Sequence, residues 1–274
     1  KVKFSSKKNI ENIIIEKSIL LFDLTFGKKN KKFYKKIKNN YDRNINIHNL
    51  HNSMNPVDQA IYIINLFEIK NILLFYKKNV PDDIEFQIIK LTSTLKNFFH
   101  LDGSLALFNG SNDSYKDNIK KLCANFPDLK IDDLKNINQG IAIFNSKNLK
   151  IFFDVAKPNI NLVNDGLHAG TLSMEMSCEN EKIITNCGSL KKYRTDSADY
   201  LRYSAAHSTI IVENTNISEL GENKSYIRIP QNISFNSFSK NDCHVWEATH
   251  DGYKKKFKKI IKRKLTILES KFMI

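Results

Sequence analysis

The chain has 274 residues, of which 41% are hydrophobic, and a formal charge of +14 at pH 7. That length exceeds what one ordinary domain needs and the apolar share is enough for a core, so one large or two medium domains are expected. A surface this basic favours a polyanion, but no nucleic-acid module and no zinc-finger spacing is present, so nucleic acid is not the expected partner.

The opening residues, Lys1–Lys8, lack a signal-peptide pattern and an initial Met, and Lys271–Ile274 follow directly on a strand pattern, so the sequence reads as a fragment. The longest apolar stretch, Ile13–Phe26, contains Glu16, Lys17 and Asp23. It is too short and too charged to cross a bilayer, and no transmembrane segment is expected. Ile10, Ile13, Ile14, Leu20, Leu21 and Leu24 recur at helical spacing. A polar stretch runs from Asn39 to Asn55. Asn55-Pro56 then opens a helix whose apolar positions include Ile61, Ile64, Phe67 and Leu74. Pro81, Asp82 and Asp83 open another, with Ile84, Ile88, Leu91, Leu95 and Phe98 as its buried stripe, and Asp102-Gly103 ends it. A shorter helix covers Tyr115–Asn125.

The pattern changes near Gly140. Ile141–Phe144 and Leu149–Val155 form one hairpin, and Thr171–Ser177 and Lys182–Cys187 a second. His207–Val212, Tyr226–Ile229, His244–Thr249 and Phe257–Leu268 continue as strands. The fold class expected is therefore α+β and multidomain: a helical domain over 1–130, then an antiparallel β-sandwich over 138–274. The four cysteines, Cys123, Cys178, Cys187 and Cys243, form no CxxC pair. They read as buried free thiols, with Cys178 and Cys187 the pair a hairpin would bring together. The dense run Lys254–Lys264 is either a solvated strand and turn or a binding surface.

Four strings stand out: Phe99-His100-Leu101-Asp102-Gly103-Ser104-Leu105-Ala106-Leu107-Phe108-Asn109-Gly110, His168-Ala169-Gly170-Thr171-Leu172-Ser173-Met174-Glu175, Ile184-Thr185-Asn186-Cys187-Gly188, and Leu201-Arg202-Tyr203-Ser204-Ala205-Ala206-His207-Ser208-Thr209. In this order, and continued by His250-Asp251-Gly252-Tyr253, they resemble the heparinase II/III-like polysaccharide lyases from about Asn39 onward. The resemblance implies an N-terminal α/α toroid portion before the sandwich, and β-elimination of uronate-containing glycans. It also implies a periplasmic or cell-envelope location. Such chemistry needs a group to neutralise the uronate carboxylate, a base for the proton beside it, and an acid for the departing oxygen.

By that resemblance His51 and His168 are the catalytic candidates, and Asn52, Arg202 and His207 the substrate-binding ones, lining a groove between the helical part and the sandwich. His168 matches the histidine that in some members joins a zinc ion with a carboxylate on the next strand and a later histidine. Those partners here are Asn186 and His207. The expected metal residues are thus His168 and His207, with no cofactor required and zinc, if present, structural; a neutral amide is a poor zinc ligand. In many members a tyrosine at the start of the helix is the acid/base, whereas this chain has Pro56-Val57-Asp58-Gln59 and no tyrosine until Tyr62. Bland alternatives stand beside these: His51 as a loop histidine, His168 and His207 as strand-end histidines, Arg202 as a salt-bridge residue, and His48 and His100 as surface or packing residues. The expected partner is an acidic polysaccharide, cleaved by a lyase or held by a non-catalytic envelope module.

Overall fold

The computed structural model describes residues 11–28, 32–129, 140–158, 167–190, 196–221, 226–240 and 243–268. The chain divides into two compact units. One holds described residues 11–98 and 115–129, and the other holds 99–114 and the described residues from 140 onward. The expected boundary, between 130 and 138, lies outside the described residues. Residues 99–114 go with the strands rather than with the helices that flank them.

The helical unit is built from α1 (Glu11–Thr25), α2 (Phe33–Asn44), α3 (Pro56–Phe75), α4 (Asp82–Lys96) and α5 (Lys116–Ala124). Asn55 caps α3: its Oδ1 accepts from the amides of Val57 (2.9 Å) and Asp58 (3.4 Å). Asp82, Asp83 and Glu85 complement the positive end of α4, and Lys96 its negative end. All five residues of the expected α4 stripe are buried, none more than 2% exposed. In α3 the buried face is offset from the expected one. Tyr62, Ile63, Leu66, Ile69 and Leu73 face inward, while Leu74 is exposed. This helix is apolar nearly all round, so its periodicity does not single out one face. α2 extends into the polar stretch that begins at Asn39, because Phe33 and Ile37, one helical turn apart, both find the core. These helices do not make up the toroid that the resemblance implied; the chain carries a helical unit and antiparallel sheets. Among the described residues no helix is long and apolar enough to cross a membrane.

In the strand unit, β1 (Ile141–Asn145), β2 (Leu149–Asp154), β3 (Met174–Cys178) and β4 (Glu181–Ile184) form one antiparallel sheet in sequence order. β5 (Glu219–Leu220) and β6 (Tyr226–Arg228) make a small ribbon. β7 (Ile233–Lys240), β8 (Cys243–His250) and β9 (Ile261–Leu268) form a second antiparallel sheet, with one helical turn, α6 (Lys254–Phe257), between the last two. Ala142, Ile151, Phe153, Met174 and Met176 of the first sheet share a core with Trp246, Ala248, Leu265 and Ile267 of the second. That shared core makes the pair a β-sandwich. Phe153 and Trp246 stack at 6.3 Å between centroids, and each such buried aromatic contributes roughly 2–3 kcal/mol.

Strand alternation sends Lys150, Phe152, Glu175 and Ser177 to the other face of the first sheet, since Phe152 pairs with Glu175 and Lys150 with Ser177. That face is covered by the 99–114 segment: His100 packs on Phe152 at 4.8 Å, and Phe108 lies 6.3 Å from it. Three expectations are corrected. His207–Val212 is not a strand, because its polar groups are spent on cross-connections described below. Lys254–Phe257 is a helical turn, so the last strand starts at Ile261. The cysteines are all free, but Cys187 is exposed and the other three are half-buried.

Candidate functional site

His168 and His207 come together in the strand unit. Their rings meet edge to face with centroids 5.2 Å apart, and they are 4% and 9% exposed. His168 lies in the loop leading to β3, whose position is fixed by Ala169 N donating to the carbonyl of Arg202 (2.9 Å). Gly170 makes room for the pair: a Cβ there would stand 3.1 Å from Cγ of His207. Burial drives the His207 imidazole down to about 4, against a hydrogen bond to the Leu201 backbone that pulls it up. At neutral pH it is therefore uncharged.

The segment that carries His207 is held at Ser208 by three separate groups. The amide of Ser208 donates to Asn186 Oδ1 (3.1 Å). Its hydroxyl donates to the carbonyl of Met174 and accepts from the Met174 amide. Its carbonyl, with that of Leu172, accepts from the Arg263 guanidinium. One residue further, Thr209 Oγ1 donates to the Thr171 carbonyl (2.7 Å). Asn186 is in turn held by Glu175, whose Oε1 accepts from its amide at 3.0 Å.

Glu175 is the hub of this network and has no exposed surface. Besides Asn186 it accepts from His100 Nε2 (2.8 Å) and, with both oxygens, from the Leu107 amide (3.1 Å). A buried carboxylate is tolerable only with its lone pairs used, and here all its donors come from segments other than its own strand. His100 is thus no surface residue but a buried partner, 3% exposed. His100 packs, as one of its two expected readings had it, but its pairing with Glu175, and Glu175 itself, were missed. The available signal was that Met174 and Met176 face the core, which forces Glu175 onto the opposite face.

Arg202 is buried in the same unit. Its Nε donates to the Leu167 carbonyl (3.4 Å), Nη1 lies 3.5 Å from Asp199, and its guanidinium lies 5.1 Å from the Tyr226 ring centroid. Tyr226 donates back to the Arg202 carbonyl, and burial raises its hydroxyl to about 12. Another buried histidine, His250, accepts from the Gly252 amide at Nδ1 (3.1 Å), and burial lowers it to about 4.

His51 and Asn52 belong to the helical unit. His51 is 5% exposed and bridges to Ile45. Its amide donates to Gln59 Oε1 (3.0 Å), and Gln59 Nε2 donates to the carbonyls of Asn49 and Leu91. Nδ1 of His51 accepts from the Ser53 amide (3.2 Å) and lies 2.7 Å from the Ser53 hydroxyl. The proton of the neutral ring is therefore on Nε2, which has no hydrogen-bond partner among the described residues. Burial pushes this imidazole down, with Asp58 opposing. Asn52 spends an N–H on the Arg43 carbonyl (2.8 Å). Tyr62 is fully buried and donates to Asn40 Oδ1 (2.8 Å). Burial raises its hydroxyl far up, so it stays protonated and is spent on structure.

A zinc ion asks for four donors, normally His, Cys or carboxylate. Among the described residues no three such side chains are grouped to hold a metal. His168 and His207 supply two imidazoles, and Asn186 has its oxygen engaged by Ser208. The side chains present do not fit zinc.

The family description "Heparinase II/III-like, C-terminal" matches residues 135–274. No curated protein matches the chain. Among solved structures, a heparinase III is 14% identical with a TM-score of 0.68, over 95% of this chain and 45% of that one. The heparan sulfate lyase HepC from Pedobacter heparinus is 11% identical with a TM-score of 0.65, over 98% and 45%. A heparinase III with methylated lysines is 12% identical with a TM-score of 0.68, over 97% and 44%. At such identities the likeness is one of fold. The chain spans less than half the length of these proteins.

Proposed function

The chain belongs to the heparinase II/III-like family, and from that premise we propose that it is part of a polysaccharide lyase cleaving an acidic, uronate-containing glycan by β-elimination. A base takes the proton from the carbon beside the carboxylate, the electron pair becomes a carbon–carbon double bond, and the glycosidic oxygen leaves with a proton from an acid. His168 takes the proton, beside the uncharged His207. His51, in the helical unit, is the second proton-transfer candidate; as an acid it acts as the imidazolium, through Nε2, the nitrogen with no hydrogen-bond partner among the described residues. Arg202 is the strand unit's candidate for holding the carboxylate and Asn52 the helical unit's, and His207 lines the substrate. The compartment proposed with this activity is the periplasm or cell envelope. The observation that carries the reading is the His168–His207 pair framed by Glu175, Asn186 and Ser208, inside the matched residues.

A second reading is a non-catalytic glycan-binding or envelope module. It is favoured by Pro56–Gln59, which holds no tyrosine, and by the burial of Tyr62. Incubating the protein at its natural length with heparan sulfate, alginate and other uronates separates the two. New ultraviolet absorbance from the double bond supports the lyase. Glycan binding with no such signal on any member of the panel leaves only the module.

A further inference from the structure

The run Lys254–Lys264 is a fixed platform. Tyr253, with no exposed surface, anchors it: the hydroxyl reaches the carbonyls of Ile210 (3.1 Å) and Thr215 (2.9 Å). Phe257 packs on the same ring at 6.1 Å. Gly252 lets the chain turn tightly, since a Cβ there would stand 2.8 Å from Ile217 Cγ2. Arg228 ties the turn down through the carbonyls of Gly252 and Ile217. Lys258, left-handed at φ 60°, stops α6 after one turn.

On this base Lys254, Lys255, Lys256, Lys258, Lys259, Lys262 and Lys264 are all exposed. One carboxylate, Glu247, pairs with Lys262 (2.8 Å) and Lys264 (3.8 Å). Asp251 accepts instead from Gln231 and Asn232. Among the described residues most of the positive charge is thus unmatched across a short span. Arg263, on the same strand as Lys262 and Lys264, bonds the carbonyl of Ser208, so the platform joins the segment that carries His207. Ile260, next to Lys259 in the chain, is 58% exposed, and Ile210 and Ile211, in the segment whose Ile210 carbonyl accepts from Tyr253, are 39% and 41% exposed.

We infer that this lysine platform is a holding surface for an acidic polysaccharide, outside the histidine site. The inference rests on the reading that the partner is an acidic glycan. Dense lysine charge on a rigid base suits a polymer with repeated anionic groups, and exposed isoleucine suits the apolar face of a sugar ring. Single-stranded nucleic acid is favoured by exposed aromatic side chains on which bases stack. Phe257 is instead packed on Tyr253.

The test compares two variants of equal net charge. One carries Lys254→Gln, Lys255→Gln, Lys258→Gln and Lys259→Gln. The other carries Lys35→Gln, Lys38→Gln, Lys116→Gln and Lys120→Gln, all exposed in the helical unit. Binding of a fluorescent heparan sulfate dodecasaccharide is titrated at several salt concentrations, beside oligo-dT and vesicles containing phosphatidylserine. The platform variant is expected to bind the glycan about tenfold more weakly with a shallower salt dependence, and the helical variant about as the parent does. Equal weakening of both, no weakening of the platform variant, or tighter parental binding to oligo-dT or vesicles than to glycan overturns the inference. Ultraviolet absorbance read on the same samples tests the lyase reading separately: binding without a new double bond sinks that reading and leaves the platform standing.

Discussion

Nε2 of His100 lies 2.8 Å from Oε2 of Glu175, and neither side chain has any exposed surface. Removing the carboxylate strands three donors at once: the buried His100 Nε2 and Asn186 amide, and the part-buried Leu107 amide. Glu175→Ala is therefore expected to cost about 3–5 kcal/mol, at about 1–3 kcal/mol for each buried donor left unsatisfied. Urea unfolding measures it. A cost below about 1 kcal/mol would show that the network does not hold the 99–114 segment to the sheet.

Gly170 and His207 make a second point of sensitivity. The Cβ of Gly170→Ala would lie 3.1–3.4 Å from three atoms of the His207 ring, which is closed in by its own burial. The ring must shift, at about 1–3 kcal/mol for an overpacked interior. Thermal unfolding together with the imidazole signals of His168 and His207 by nuclear magnetic resonance checks this. Unchanged signals for both rings would contradict the packing described.

Stability is expected to vary with pH in two opposed ways. His207 and His250 are near 4 when folded, against 6.5 when free. Between these values the unfolded chain binds more protons, so stability is full above the upper one and falls as pH drops toward the lower. Asp154 runs the other way. Burial raises its carboxyl from 3.8 to about 7, with only the Ala156 amide hydrogen bond pulling it down. Its folded form keeps a proton that the unfolded chain releases, so this contribution is lost as pH rises through that window. Asp154→Asn keeps the acceptor and removes the titration. Its stability relative to the parent should grow by on the order of 2–4 kcal/mol between about pH 5 and about pH 8. A difference independent of pH would remove the basis for a neutral buried Asp154.

Metal removal should change nothing in the strand unit. With two imidazoles and an engaged amide, the His168–His207 region lacks a zinc donor set among the described residues. Dialysis against a chelator is expected to leave Tm within about 1 °C, whereas a structural zinc contributes folding energy directly. A fall of several degrees, restored by zinc, would show that the donors assemble after all.

Much of this fold was legible in local pattern. The α4 stripe from Ile84 to Phe98 is buried throughout, because one face there is apolar and the other is not. The two hairpins around β1–β2 and β3–β4 follow from alternating residues and short turns. Where pattern was ambiguous the reading slipped. α3 offers several apolar faces, and the one containing Tyr62 is buried where the Asn40 acceptor lies. Thr209–Val212 looks like a strand from its β-branched residues, yet side chains of Thr209 and Ser208 tie this stretch to β3 and its leading loop. β7 passed unnoticed because Ile233 and Phe235 alternate with serine and asparagine in a mostly polar stretch. The candidate site was legible as to its histidines but not its frame. His100 and Glu175 stand 75 residues apart, and no local spacing announces a pair that only the folded sheet creates.

The most direct measurement is the ultraviolet absorbance of the new double bond on a panel of uronate glycans, with parent and His168→Ala side by side. The account predicts a signal on at least one glycan for the parent, and a loss of about 10²–10⁴-fold for the variant, the contribution of a positioned proton-transfer group. No signal from the parent on any glycan, or equal rates for the two, would contradict it.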